Sequence, residues 1–380
     1  TGSAYAMPAS NKTGIDVMQH PANSLRLRTF EYFTTFIVRV KKGRRRNLDL
    51  ERTIIALPLL LISAPLTAAG LDVFELRNQH PFLHIYGLPA LQQAILVERG
   101  QPDYSAVLSI VNNSEIKDAE TESIVLDGET YFADFRYRRR VHDRLEIGVD
   151  VPLVKHSQGF LDRMIYDWHD FWGISNSKRG EPHNQLDYTY ETNGSVQQQK
   201  TASSFGVGDI QLSAAMPLVT GGEAGSRHVS VRFSVKLPTG DSADIHGSGA
   251  ADAALGIYAQ DSGQLFGREL AYLGFAGLLG LGDGDVLADQ QRTAVPYGGL
   301  AATWHATARF GVTAQLQAQG SYFDSDLDEL GGSSIQLTVG GVYRWPGSGV
   351  AFRFALVEDV ISDATPDFGL YFGVHITGER

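Results

Sequence analysis

Val229, Val231, Phe233, Val235 and Leu237 alternate with Ser230, Arg232, Ser234 and Lys236. The same beat runs through Leu145, Ile147, Val149 and Val151 against Glu146, Gly148 and Asp150. It returns in Phe310, Val312, Ala314, Leu316 and Ala318 against Gly311, Thr313, Gln315 and Gln317. Strand side chains point to opposite faces with period two, so each segment has one apolar face and one polar face. From Asp103 onward such segments recur, joined alternately by short turns and long polar loops. The pattern predicts an all-β fold, a transmembrane antiparallel β-barrel with lipid outside and a polar lumen inside.

Loop length assigns direction, because bacterial barrels keep short turns at the periplasmic end and long loops outside. Strands are expected at 103–113, 122–140, 144–154, 205–217, 227–239, 250–260, 268–280, 296–306, 308–322, 332–344, 348–358 and 367–377. The long connections fall at 114–121, 155–204, 240–249, 281–295, 323–331 and 359–366. Twelve strands with both ends periplasmic satisfy every connection. The further apolar run Leu91–Val97 breaks that parity, so 70–102 is read as an N-terminal periplasmic or lumenal segment. In the first hairpin a three-residue turn, Val141 to Asp143, sets Arg138 opposite Glu146 and Asp134 opposite Asp150. Tyr137, Trp304, Tyr343 and Trp345 flank the expected periplasmic turns, where an interfacial aromatic girdle belongs.

Upstream, Arg39, Lys41, Lys42, Arg44, Arg45, Arg46 and Arg52 precede an apolar run from Thr53 to Thr67 and then Ala68, Ala69 and Gly70. That is the layout of a secretory signal peptide, 39–69, with cleavage expected after Ala69. The run is short for a spanning helix and contains Pro58 and Pro65. Residues 1–38 are read as an extension without a fold of its own. Barrel 103–380, with its extracellular loop 155–204, completes the organisation.

Composition changes the picture in two respects. The chain has no cysteine, which removes disulfides, thiolate nucleophiles and Cys-based metal sites. Beyond residue 69 there remain 22 basic against 39 acidic residues, a surplus that argues against nucleic-acid binding. Much of it lies in expected loops, at Asp283, Asp285, Asp324, Asp326, Asp328 and Glu329. Solvated loop charge is the plain reading there, and cation binding to surface lipopolysaccharide the sharper one.

Five phrases stand out in order: Leu76-Arg77-Asn78-Gln79-His80-Pro81, Leu126-Asp127-Gly128-Glu129-Thr130, Gly206-Val207-Gly208-Asp209, Lys236-Leu237-Pro238-Thr239-Gly240-Asp241, and Glu358-Asp359 with Pro366-Asp367-Phe368-Gly369. With them, from about Leu71 to Ile376, the chain resembles an uncharacterised family of Gram-negative outer-membrane β-barrel proteins known only as a domain of unknown function. The resemblance implies a location and an architecture; it carries no substrate and no catalytic residues. The chain departs from many outer-membrane barrels in ending Thr377-Gly378-Glu379-Arg380, without a terminal aromatic residue.

Lumen-lining candidates follow from strand parity: Asp134, Arg136, Arg138, Glu146, Asp150, Asp209, Arg232, Lys236, Gln315, Gln317, Arg353 and Glu358. In loop 155–204, Leu161, Met164, Ile165, Trp168 and Trp172 recur at helical spacing and suggest a lid, an outer-leaflet anchor or simple packing. His156, His169 and His183 share that loop without the spacing of a metal site. No phosphate loop, dinucleotide fingerprint or local Ser–His phrase is present, so neither catalytic residues nor a cofactor are expected. The leading expectation is a passive outer-membrane channel for a small solute, narrowed by loop 155–204. A closed structural or surface-interaction barrel and a lipid-modifying enzyme are the alternatives. Expected partners are outer-membrane lipid and lipopolysaccharide, the barrel assembly machinery and an unidentified small solute.

Overall fold

The computed structural model describes residues 70–172, 184–222, 226–361 and 364–378. The export signal in 39–69 and the extension 1–38 lie outside the described residues. Fifteen strands form one antiparallel sheet. They are β1 Pro102–Asp118, β2 Glu122–His142, β3 Leu145–Ser157, β4 Asp187–Thr192, β5 Ser195–Lys200, β6 Ser204–Val207, β7 Gln211–Gly221, β8 Arg227–Lys236, β9 Asp252–Leu265, β10 Arg268–Gly280, β11 Ala294–His305, β12 Phe310–Gln319, β13 Ser334–Arg344, β14 Val350–Ile361 and β15 Phe368–Thr377. Helix α1 spans Leu161–Trp172, and a single helical turn, α2, spans Asp328–Gly331.

Twelve of these strands, all but β4, β5 and β6, close on themselves. Each pairs with its neighbour, and the last joins the first through Asp103↔Thr377 to Asn112↔Phe368. Closure leaves no open sheet edge among these twelve strands, which is the condition a spanning sheet must meet. The alternation sorts as expected. Tyr104, Leu108, Phe135, Ile147, Phe233, Leu316 and Phe354 are exposed on the outward face. Ser105, Ser109, Asp134, Arg136, Ser234, Gln315 and Arg353 are buried on the inward one. Aromatic rings gather at the short-turn end: Tyr104 lies 5.2 Å from Tyr137, and Trp345 lies between Tyr343 and Phe352.

Three expectations need correction. The first hairpin turns at Asp143 and Arg144, with a bulge between Arg140 and His142. Its register therefore sets Arg140 opposite Glu146, Arg136 opposite Asp150 and Asp134 opposite Pro152. The slip is two residues, so the faces are preserved while the partners change. The expected loop 114–121 is mostly strand: β1 and β2 pair as far as Asp118↔Ser123, and β4 adds to β2 through Glu122↔Thr192. Glu358 is not lumenal. Along β14, Ala351, Arg353, Ala355 and Val357 are the buried row, so the even-numbered Glu358 falls on the outward face, opposite Leu337 and Phe368.

Candidate functional site

The lumen of this barrel is occupied by the chain's own N-terminal segment. From Leu71 to Leu96 nearly every residue is buried. The segment is a hairpin. Its first limb starts at the short-turn end, where Gly70 O accepts from His305 Nε2 at 3.0 Å, and climbs β12 one wall residue at a time. Thr303 Oγ1 accepts from Asp72 N–H at 3.0 Å. Gln315 binds both the N–H and the carbonyl of Phe74 at 3.0 Å, and Gln317 donates to Leu76 O at 3.1 Å. At the long-loop end Asn78 donates to Ala364 O at 2.7 Å.

The bend follows from local chemistry. Asn78 Oδ1 accepts from His80 N–H at 2.8 Å, forming an Asx turn, and Pro81 opens the turns that carry the chain to Tyr86. Tyr86 packs against Tyr322 and Phe323 at centroid distances of 5.3 and 5.8 Å, beneath the long loops. The second limb descends past β9 and β8. Gly87 N–H donates to Asp252 at 2.8 Å, Ala94 N–H to Gln260 at 3.2 Å and Val97 N–H to Glu146 at 2.7 Å. Arg99 pairs with Asp143 at the first short turn, back at the end where the hairpin began.

Two charged clusters lock the plug to the wall. In the first, Glu75 meets Arg138 at 2.5 Å and Arg136 at 3.3 Å, and Ser105 donates to it at 2.6 Å. Arg353 stands 4.0 Å away, and Arg77 pairs with Asp134 at 3.1 Å. Arg136 also reaches Asp134 and, at 3.5 Å, Asp150. In the second cluster Lys236 Nζ donates to Ile85 O at 3.0 Å and pairs with Asp209 at 2.8 Å and Asp252 at 3.1 Å. Arg232 donates to Gln93 O and pairs with Glu146 at 2.8 Å. The Arg138–Glu146 pair expected from sequence does not form; each has another partner, Arg138 in the plug and Glu146 on β8.

Asp209 is a strut as well as a charge. It accepts from the N–H groups of Thr239, Gly240 and Ser248 at 2.9, 2.8 and 3.1 Å. The Gly-Val-Gly-Asp and Lys-Leu-Pro-Thr-Gly phrases thus meet in space. Gly206 is required there, because a Cβ would come within 2.5 Å of His246 Nδ1.

Packing between plug and wall is uneven. At the short-turn mouth a cavity of about 740 Å³ remains, lined in part by Asp72, Glu269, His305, Arg344, Arg353 and His375. Further in, beside Leu88, Tyr297 and Gln317, the gap shrinks to about 10 Å³, room for one water. Ser109 Oγ, Thr338 Oγ1, Arg353 Nε and both ring nitrogens of His84 are buried without a hydrogen-bond partner among the described residues. Such atoms call for water.

Helix α1 is not across the mouth. Phe160 N–H donates to Glu129 at 2.6 Å, Leu161 N–H also donates to Glu129, and Asn112 Nδ2 donates to Asp162 at 2.7 Å. Asn112 and Glu129 are cross-strand partners on the same face as Tyr104 and Phe135, the outward one. The helix therefore docks outside the wall. Leu161 and Ile165 are buried there and Met164 is exposed; the side chains of Trp168 and Trp172 lie outside the described residues. A contact missed in the sequence joins Ser204 Oγ to His246 Nε2 at 3.0 Å across 42 residues. The other ring nitrogen faces Gly206, and Asp244 binds Lys200, so no acid completes a relay in this arrangement.

A family model described as "Protein of unknown function (DUF3187)" matches residues 53–377. No curated protein matches the chain. Among solved structures, an outer membrane channel from Pseudomonas putida F1 is similar at 12% identity and a TM-score of 0.50, over 74% of this chain and 96% of that one. The NanC porin covers 73% of this chain and 99% of its own at 8% identity and a TM-score of 0.38. A Pseudomonas aeruginosa FadL homologue covers 73% and 89% at 9% identity and a TM-score of 0.29. At 12% identity the likeness to the first of these is one of fold.

Proposed function

Since the chain belongs to the family described as Protein of unknown function (DUF3187), whose membership brings no solute with it, we propose from its own lumen that it is an outer-membrane channel for a small polar solute. In this reading residues 71–98, and not loop 155–204, close it. One observation carries the proposal: the plug's backbone is held mainly by wall side chains, Thr303, Gln315, Gln317, Lys236, Arg232, Asp252, Gln260 and Glu146. Each bond replaces one to water and is worth about 0.5–1.5 kcal/mol net where the wall group is neutral and about 1.5–3 kcal/mol where it is charged, so water can take it back. A wall built for permanent closure would be stabilised better by apolar side chains. The likeness to an outer membrane channel accords with this reading and carries no solute to it.

Deleting 71–98 should convert a barrel with rare openings in planar bilayers into a steady conductor. A deleted barrel that folds but conducts no more than the parent overturns the proposal. A covalent lock supplies the second test. A Cβ on Gly87 would lie 2.8 Å from Asp252 Cβ, so Gly87→Cys with Asp252→Cys is close enough to bridge after small relaxation. The bridged protein should stay closed until reduced.

A permanently closed barrel is the second reading, favoured by the apolar seat of Phe82, Ile85 and Tyr86 among Tyr322, Phe323 and Leu330. It requires conductance to be the same with the bridge formed and reduced.

A further inference from the structure

Helix α1 has two unlike flanks besides the one it packs with. Leu161, Asp162 and Ile165 are buried against the outer wall. On one side of that seam Phe160 is 53% exposed and Met164 46%, and Phe171, seven residues beyond Met164, shares their flank. On the other side Arg163 and Asp170 are exposed, while Asp167, seven residues beyond Phe160, stands at the border of the apolar flank. A helix lying in water has no use for an apolar flank beside its buried seam. One lying at a membrane surface requires it.

Its height on the barrel agrees. The outward row of β1 runs Tyr104, Ala106, Leu108, Ile110 and Asn112, and that of β2 runs Tyr137, Phe135, Ala133, Tyr131 and Glu129. Apolar residues fill it from the Tyr104–Tyr137 pair to the polar pair Asn112–Glu129. Eight residues at about 3.3 Å each, tilted by about 40°, climb about 20 Å, close to the roughly 25 Å band of such barrels. The docking pair of α1 therefore stands at the far edge of the lipid belt. We infer that α1 is an interfacial helix whose Phe160–Met164–Phe171 flank is inserted among the acyl chains of the outer leaflet, continuing the barrel's lipid belt, with Arg163 and Asp170 turned to water.

The absence of native cysteine makes the test direct. Phe160→Cys, Met164→Cys, Asp170→Cys and, as a belt reference, Leu108→Cys are each labelled with an environment-sensitive fluorophore. The proteins are folded into phosphatidylcholine vesicles and checked by heat-modifiable mobility. Nitroxide-bearing acyl chains should quench the labels at 160 and 164 to within about twofold of the label at 108, and aqueous iodide should quench them about fivefold less than the label at 170. Equal iodide quenching at 164 and 170 overturns the inference. Shielding of 160 and 164 from both quenchers also overturns it, since it means a protein surface covers that flank.

Discussion

Gln315 binds both backbone polar groups of Phe74, so its removal orphans two buried backbone atoms at once. Gln315→Ala should cost about 1–3 kcal/mol by urea unfolding in vesicles, and nothing measurable in a barrel lacking 71–98. An equal loss in both proteins would mean that Gln315 acts on the wall and not on the plug. Glu75→Ala should cost more, about 3–5 kcal/mol, because it strands Arg136 and Arg138 in a dry site. Glu75→Gln, which keeps the shape but only one of the two accepting oxygens, should fall between wild type and Ala in the same titration. The direction in which a residue points was legible in the sequence wherever alternation was strict, as for Arg136, Lys236 and Gln315. Its partner was not. Arg138 was matched to a strand neighbour, when its partner, Glu75, sits on a segment with no strand pattern. Glu358 is five residues from Arg353, so the alternation of β14 itself sets the two on opposite faces and the expectation for Glu358 ran against that parity.

At the scale of elements, the strands announced themselves by period, and the pieces between them by chemistry that was partly overlooked. Asn193 and Gly194 both adopt positive φ, 51° and 72°, at the tip of the β4–β5 hairpin. Asn-Gly is a strong short-range hairpin signal, and it lies within the expected loop 155–204. The plug is the harder case. Leu76 to Pro81 was noticed as a phrase, but its Asx turn has meaning only with a lumen around it. The plug's tip also predicts a pH dependence. Burial pushes the His80 imidazole down to about 3. Burial, reinforced by the charges of His156, His246, Arg77 and His80, holds His84 well below its ordinary value. His84 sits 5.7 Å from Phe132 and 5.4 Å from His156, ring to ring. A released plug would titrate near 6.5, so the seated form is fully favoured above that pH and loses ground as pH falls from about 6.5 towards 3. Protease cleavage within 71–98 should therefore rise on acidification over that window. His80→Leu with His84→Phe should flatten the response, and an unchanged profile would mean that neither ring is linked to seating.

For the whole molecule, closure and facing are what the lipid enforces. Phe233→Arg puts a charge on the outward face and should cost about 2–4 kcal/mol near the midplane, measured by urea unfolding in vesicles. A cost within error of zero would deny that this face meets lipid. The strand count was legible because parity and loop length constrain each other; what fills the barrel was not, because twelve strands lie between a side-chain-filled barrel and an open pore. The hairpin shape of the plug has a topological consequence. Both of its limbs meet the same mouth, at His305 and at Asp143. It is a bight of rope pushed into a tube and not a cord drawn through it. It can slip out and return with no free end passing the constriction, no strand unzipping and no knot to undo, so opening is governed by the bonds along its length and never by the order in which the chain was laid down.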